Sequence, residues 1–244
     1  NLADEYINRK VRFGHWKDNA VRLKGEAVKS FTVMFLQMWS VCAFRPEYDF
    51  DYGPFLDTGD HFHSPALNMD GYSIPFSDSP LDGEPVGHQV YLDIIYQARR
   101  YVYIMTPYLI LDDKMTTALC VAAKTGVDVR IITPGIPDKW YVHAVTRAYY
   151  EMLLESGVRI YEYTPGFVHA KVFVCDDREA VVGTINLDYR SLYHHFENAV
   201  WMRRVGSIRD METDFQDTLA RCRTVEATLQ SVWQGKKLLR LMGL

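Results

Sequence analysis

A six-residue phrase occurs twice in this chain, and a duplicated unit is the strongest single constraint on its fold. Near the start the chain reads Asp18-Asn19-Ala20-Val21-Arg22-Leu23, and near the end Glu197-Asn198-Ala199-Val200-Trp201-Met202. Both run acid, Asn, Ala, Val, any residue, apolar residue. Upstream of each lies a second echo, Asn1-Leu2 followed by Asp4 and Asn186-Leu187 followed by Asp188. Downstream of each lies an amphipathic helical pattern, over 26–39 and 207–223. The same flanking order at both places marks a duplication. Residues that precede Asn186 have no counterparts ahead of Asn1, so the expectation is one complete half and the tail of another. The implied partition is a first-half remnant at 1–44, a loop-rich linker at 45–87, the complete half at 88–223 and an amphipathic tail at 224–244.

The linker stands out because periodic patterning fades there while Pro46, Pro54, Pro65, Pro75, Pro80 and Pro85 accumulate. One short strand is expected inside it, at 72–76. Beyond it helix and strand patterns alternate: helix 89–99, strand 101–106, helix 112–125, strand 127–133, helix 141–156, then strands 158–163, 168–175 and 180–184. The fold class is therefore α/β, a sheet flanked by helices. Between the last three strands stand only the turns Thr164-Pro165-Gly166 and Asp176-Asp177-Arg178, which predict antiparallel neighbours and hence a mixed sheet. At 244 residues, with 48% apolar and 24% charged residues, the chain has the means to build an ordinary core without staples.

Several function classes lose ground on composition. The formal charge of −4 gives no long-range pull on nucleic acid, so no nucleic-acid partner is expected. Cys42, Cys120, Cys175 and Cys222 show no CxxC spacing and read as reduced, mostly buried thiols in a reducing compartment. The most apolar run, 30–44, contains Gln37 and is shorter than the roughly 18 to 20 residues a membrane span requires, so it reads as a core helix. The start lacks a leader-like pattern; any targeting or anchoring segment is expected outside this chain.

Within the pattern for strand 168–175, His169 and Lys171 are two apart. Strand pleating puts both on one face, with Val172 and Val174 turned the other way into a core. An isolated His-x-Lys of this kind usually marks only a solvated face, and the neighbours change that reading. Four residues separate Lys171 from Asp176, after which come Gly183-Thr184-Ile185-Asn186 and then the acid Glu197.

This assembly, HxKxxxxD followed by GTxN and a later acid, resembles the motif of the phospholipase D superfamily, with Thr184 where Ser is usual. Across most of the chain, from Asn1-Leu2-Ala3-Asp4-Glu5-Tyr6 through Thr106-Pro107-Tyr108 and 157–163 to Glu197, the wording is similar to bacterial cardiolipin synthases. The resemblance implies a phospholipase D-like fold and transfer of a phosphatidyl group through a phosphohistidine. His169 is then the nucleophile. Lys171, Thr184 and Asn186 bind the phosphate, and Glu197 accepts a hydrogen bond from the second ring nitrogen of His169. Asp176 belongs to the motif and is expected to order the turn at the strand end. By alignment Asn1 and Asp18 belong to the first half's phosphate-binding and acidic positions.

No metal or other cofactor is implied. The implied partners are phosphatidylglycerol, an anionic membrane surface, and a missing first half or a second copy that brings the second histidine. The fragment alone is expected to turn over poorly, at a bacterial cell membrane. Two rivals stay open: a phosphodiesterase of the same fold, either lipid hydrolase or nuclease, and a non-catalytic membrane-binding module. Other residues read more plainly. His61 and His63 are loop histidines; His194 and His195 read as a surface turn near Glu197; His15, His88 and His143 carry no functional signal. Tyr108, Trp140, Tyr141 and Phe167 fall at strand or loop ends, where they line a pocket or simply pack. The tail Lys236-Lys237-Leu238-Leu239-Arg240-Leu241-Met242 suits either an anionic bilayer face or a packed terminal helix.

Overall fold

The computed structural model describes residues 3–42, 51–56, 71–81 and 83–226. In chain order the first elements are β1 (His15–Lys17), α1 (Ala27–Cys42), α2 (Gly53–Leu56), β2 (Tyr72–Asp78), α3 (Val86–Gln97), β3 (Tyr101–Met105) and β4 (Leu109–Ile110). Next come α4 (Asp113–Lys124), β5 (Asp128–Pro134), α5 (Trp140–Ala148), α6 (Tyr150–Glu155), β6 (Arg159–Tyr163) and β7 (Gly166–Val168). The last are β8 (Val172–Cys175), β9 (Glu179–Gly183), β10 (Leu187–Asp188), α7 (Tyr189–Tyr193), β11 (Glu197–Arg203), α8 (Ser207–Leu219) and β12 (Cys222–Thr224).

Eight strands form one mixed sheet in the order β12-β6-β5-β3-β8-β9-β11-β2. β3, β5 and β6 are parallel, and the remaining pairs are antiparallel. Alternation along the strands splits the core into two layers. Ile104, Ile131, Ile160 and Phe173 pack with Tyr91, Ile94, Met115 and Leu119 from α3 and α4. Met105, Ile132, Val172, Val174 and Val200 pack with Ile208 and Phe215 of α8. Each such buried side chain contributes roughly 1.5–3 kcal/mol, so both faces of the sheet are held mainly by these contacts. Local chemistry sets the element ends. Asp112 caps α4 by accepting from Met115 N at 2.7 Å, and the helix gives way to Gly126 at φ +97°.

Four expectations need correction. The run 30–44 does form a helix as far as Cys42, but α1 has no buried residue. It lies along the edge strand β2 instead of between layers, with Phe31 its contact to the α8-side core. The helix expected over 141–156 is two helices, because at Tyr149 the backbone tightens and Tyr149 N donates to Thr146 O at 3.2 Å. Thr164-Pro165-Gly166 does not join sheet neighbours. β6 lies beside β5 and β12, and the chain crosses over through β7 before β8 pairs with β3. The strand expected over 168–175 is interrupted at 169–171, where His169 N (2.7 Å) and Ala170 N (3.2 Å) both donate to Lys17 O. Facing survives the break, since Val168, Ala170, Val172 and Val174 all enter the α8-side core.

Asp176-Asp177-Arg178 does join antiparallel strands, β8 and β9, with Asp176 and Asp177 both at positive φ. Inside the segment 45–87, the strand expected at 72–76 is β2, the edge strand beside β11, and Pro75 is tolerated there because an edge strand need not donate on both sides. His61, His63 and most of the tail lie outside the described residues. Among the described residues no helix is long and apolar enough to cross a membrane. The four cysteines are unpaired; Cys120 and Cys175 are buried, whereas Cys42 is exposed.

Candidate active site

The N-terminal segment reaches the body of the fold through a short parallel pairing of β1 with β7, Trp16 opposite Phe167 and Lys17 opposite Val168. The approach is too close for side chains on two glycines. A Cβ on Gly166 would lie 2.3 Å from His15 O, and one on Gly14, already at φ +71°, would lie 2.3 Å from Pro165 O. β1 therefore delivers the next residue, Asp18, to His169, and His169 Nδ1 lies 2.8 Å from Asp18 Oδ2. Burial pushes the Asp18 carboxyl upward. The His169 hydrogen bond and charge, Lys171 and the Asn19 N–H outweigh it, and the group ends below the usual carboxylate range. An ionised carboxylate only accepts, so Nδ1 carries the proton and a neutral ring keeps its lone pair on Nε2.

Lys171 is buried, and its ammonium donates to the carbonyl of His169. Burial lowers it from 10.5 to about 8, against the pull of Asp18, Glu197 and Asp188. Glu197, at the start of β11, is fixed by two hydroxyls. Ser191 Oγ donates to Oε1 at 2.6 Å and Thr184 Oγ1 donates to Oε2. Ser191 Oγ also accepts from Asn186 N at 2.8 Å. Asn186 Oδ1, an acceptor, is buried and has no hydrogen-bond partner among the described residues. His195 Nδ1 is 3.5 Å from Glu197 Oε1 at the exposed rim.

His169, Lys171 and Asp18 thus meet, with Thr184, Asn186 and Glu197 forming an adjoining group. The expected roles of Glu197 and Thr184 change: the Thr184 hydroxyl, expected on phosphate, donates to Glu197. Glu197 does not hold His169: Asp18 does, because β1 runs beside the His169 segment while the Glu197 carboxylate is tied to Ser191 and Thr184. Asp176, a member of the motif, lies away from the site and orders the turn at the strand end, as expected. Five steps of extended chain, at about 3.3 Å each, carry it away from Lys171. Its carboxylate accepts from Arg99 N (2.7 Å), Arg100 N (2.9 Å) and Tyr101 N (2.8 Å), fastening the α3–β3 junction to the hairpin. Asn1 lies outside the described residues.

The role of Asp176 is open to a stability test. Asp176→Ala leaves three backbone donors to water or to nothing, so the urea midpoint should fall by the equivalent of about 1–3 kcal/mol. Amide exchange should quicken at Arg99–Tyr101 and leave residues 169–171 unchanged. Unaltered stability would show that water replaces the carboxylate without cost.

Sequence reading missed Tyr6, Trp16 and Ser191. Ser191 has a legible signal, standing three residues after Asp188, whose carboxylate accepts Ser191 N at 3.2 Å as a helix cap. Trp16 and Tyr6 depend on a long-range parallel pairing that no local pattern announces. The remaining candidates have structural partners. His15 Nδ1 meets Tyr163 OH at 3.0 Å and His88 Nε2 meets Asp112 Oδ2 at 2.9 Å. His143, 3.7 Å from Glu162, is driven down to about 4, chiefly by burial. Phe167 is buried against Trp16, Tyr108 donates to Asp138 at 2.7 Å, and Trp140 and Tyr141 are exposed.

A family model described as cardiolipin synthase, PLD-like domain, matches residues 91–219. An uncharacterized protein of Streptococcus mutans is 57% identical over 243 residues, 99% of this chain and 51% of that protein. Cardiolipin synthase 2 of Bacillus cereus is 38% identical over 223 residues, 90% of this chain and 41% of that enzyme. The chain therefore spans about half the length of the curated relatives it matches. In fold it is similar to Nuc of Salmonella typhimurium, a phospholipase D family member, with a TM-score of 0.55 at 19% identity over 65% of this chain and 100% of the other. Phosphatidylserine synthase of Haemophilus influenzae gives 0.55 at 18% identity over 72% of this chain and 47% of that one. With more than half of its residues inside the matched domain, and a histidine, lysine, asparagine and two acids gathered at one sheet end, the chain belongs to the cardiolipin synthase-like branch of the phospholipase D superfamily.

Proposed function

We propose that this chain carries one half-site of a phosphatidyltransferase that makes cardiolipin from two phosphatidylglycerols at a bacterial membrane surface. The observation that carries the reading is the His169–Asp18 pair, a nucleophile from one half oriented by the acid of the other. His169 Nε2 attacks phosphorus, the bond from phosphorus to the glycerol headgroup oxygen breaks, and a phosphatidyl-histidine forms. Lys171 and the Asn186 amide stabilise charge on the non-bridging oxygens. A hydroxyl of the second phosphatidylglycerol then attacks phosphorus, the P–N bond breaks, and His169 is restored.

Both steps need a group that gives a proton to the leaving oxygen and takes one from the attacking hydroxyl. The repeat equates Glu197 with Asp18, so Glu197, held by Ser191 and Thr184, orients a second imidazole. That imidazole comes from the missing first half or from a second copy. The chain alone turns over slowly for want of it.

Trapping tests the reading. The longer protein carrying these residues is mixed with vesicles of phosphatidylglycerol bearing a labelled phosphate and quenched in alkali, which preserves phosphohistidine. A labelled peptide containing His169, absent from His169→Ala, is the expected result. Cardiolipin as product supports transfer, and phosphatidic acid alone means that water is the acceptor. No label on His169 while cardiolipin is produced would sink the assignment.

A further inference from the structure

We infer that Trp16 and Tyr6 are positioning residues that pack together against one side of the His169 imidazole and, with Asp18, hold it so that its Nε2 faces phosphorus. The inference rests on the proposed role of His169 and adds to it two residues from the remnant. Tyr6 stacks on the imidazole with ring centroids 5.2 Å apart and planes 18° from parallel. Trp16 lies 5.1 Å from the same ring and 4.5 Å from Tyr6. Its indole N–H is 3.4 Å from Asp18 Oδ2, the oxygen that holds His169 Nδ1. One carboxylate oxygen thus receives both the ring to be oriented and a member of its aromatic wall.

The wall is itself fastened. Trp16 is buried between the strand pairing and Phe167, whose ring centroid is 4.9 Å away. The 3–10 loop that carries Tyr6 is tied to β1 by both ends of the Asn8 side chain: Asn8 Nδ2 donates to Trp16 O at 2.9 Å and Trp16 N donates to Asn8 Oδ1 at 2.7 Å. Asn8 sits at φ 59°, a left-handed conformation that asparagine accepts more readily than most residues.

A histidine ring needs such help because its terminal torsion is broad and roughly two-fold, so a half-turn exchanges the positions of the two nitrogens. One hydrogen bond to Asp18 favours the useful orientation; two aromatic rings packed together against one side of the imidazole narrow the room to leave it. Tyr6, stacked on the ring, presents π-electron density to the positive charge that the imidazole acquires once Nε2 is phosphorylated with Nδ1 still protonated. A misdirected ring costs rate without altering how substrate binds, so the clamp acts on the chemical step.

Nitrogen-15 NMR of the histidine side chains, on this chain as it stands, tests the clamp without any catalytic requirement. The His169 signals are assigned by their loss in His169→Gln. The expected result is a single Nδ1–H form in the wild type, Trp16→Phe and Tyr6→Phe, and two exchanging ring forms in Trp16→Leu and Tyr6→Leu. In the longer protein, the two leucine variants should slow single-turnover phosphohistidine formation about tenfold with KM within twofold, and the phenylalanine variants should recover most of that loss. If Trp16→Leu does not fold, Tyr6→Leu carries the test, because Tyr6 lies outside the main core. A single Nδ1–H form with wild-type rate in a folded leucine variant overturns the clamp, as does a loss confined to KM, which would make these rings a substrate wall. A longer protein inactive on every phospholipid, with the leucine variants still showing two ring forms, fails the proposed function and leaves the clamp standing.

Discussion

Asp18→Asn should lower phosphohistidine formation in the longer protein by roughly 10³ to 10⁴-fold, with little change in KM or in thermal stability. An asparagine fits the space but can turn its NH₂ toward His169. Nδ1 then becomes the acceptor, the proton moves to Nε2, and the lone pair meant for phosphorus is gone; the corresponding change in a Ser-His-Asp triad costs about 10⁴ for the same reason. The structure makes the forecast specific, because Asp18 and not Glu197 is 2.8 Å from His169 Nδ1. Glu197→Gln acts differently. Its carboxylate is held by Ser191 and Thr184, so that variant should leave the His169 tautomer intact and slow both steps, which depend on the second imidazole. Nitrogen-15 NMR of the His169 side chain separates the two, with the ring proton moved to Nε2 in Asp18→Asn and kept on Nδ1 in Glu197→Gln, while quench-flow shows Glu197→Gln slowing formation and resolution alike. Should Asp18→Asn form phosphoenzyme at the wild-type rate, the pair would be structural and the tautomer argument would fail.

How much of this was legible beforehand depends on the distance over which each feature is decided. Helix α4 is readable because Asp112, the apolar spacing and Gly126 all act within one element. The hairpin of β8 and β9 is readable because its turn chemistry is local. His169, Lys171, Thr184 and Asn186 share one continuous stretch, so their association needed only the resemblance. Where local logic ended, the reading failed. A short turn after β6 suggested an antiparallel neighbour, yet the chain was free to cross over the ends of β5 and β3, and this crossover sets the 169–171 segment against β1. The two acids were read from alignment as serving separate halves, and only the β1–β7 contact brings Asp18 to His169. Asp176 looked like a site residue because it belongs to the motif, but strand length carries it to the far end of β8, where three backbone amides hold it.

Lys171→Met should abolish phosphohistidine formation while raising, not lowering, the stability of the domain near neutral pH. A methionine replaces the aliphatic stem at similar volume and removes a charge that the site accepts only at a cost. That cost can be bounded. The ammonium falls from 10.5 to about 8, and at about 1.4 kcal/mol per unit the folded state carries a penalty of up to roughly 3 kcal/mol. Burial causes it, and attraction to Asp18, Glu197 and Asp188 offsets only part. Methionine leaves those carboxylates without their cation, so the measured gain should be smaller than the bound. The pH dependence fixes the sign. Below about pH 8 the lysine is charged in both folded and unfolded chains and the penalty is fully present. Between about 8 and 10.5 the unfolded chain holds more protons than the folded one, so this group's contribution to stability improves as pH rises. The advantage of the methionine variant in urea unfolding should therefore be largest at pH 7 and shrink through that window. Anion binding should move the opposite way. Inorganic phosphate or vanadate needs the ammonium charged, so wild-type affinity should weaken as pH climbs past 8 and binding should take up protons there, with neither effect in Lys171→Met. A methionine variant that unfolds more easily than wild type at pH 7 and still binds phosphate would mean that Lys171 is an ordinary structural cation and that the anion site lies elsewhere.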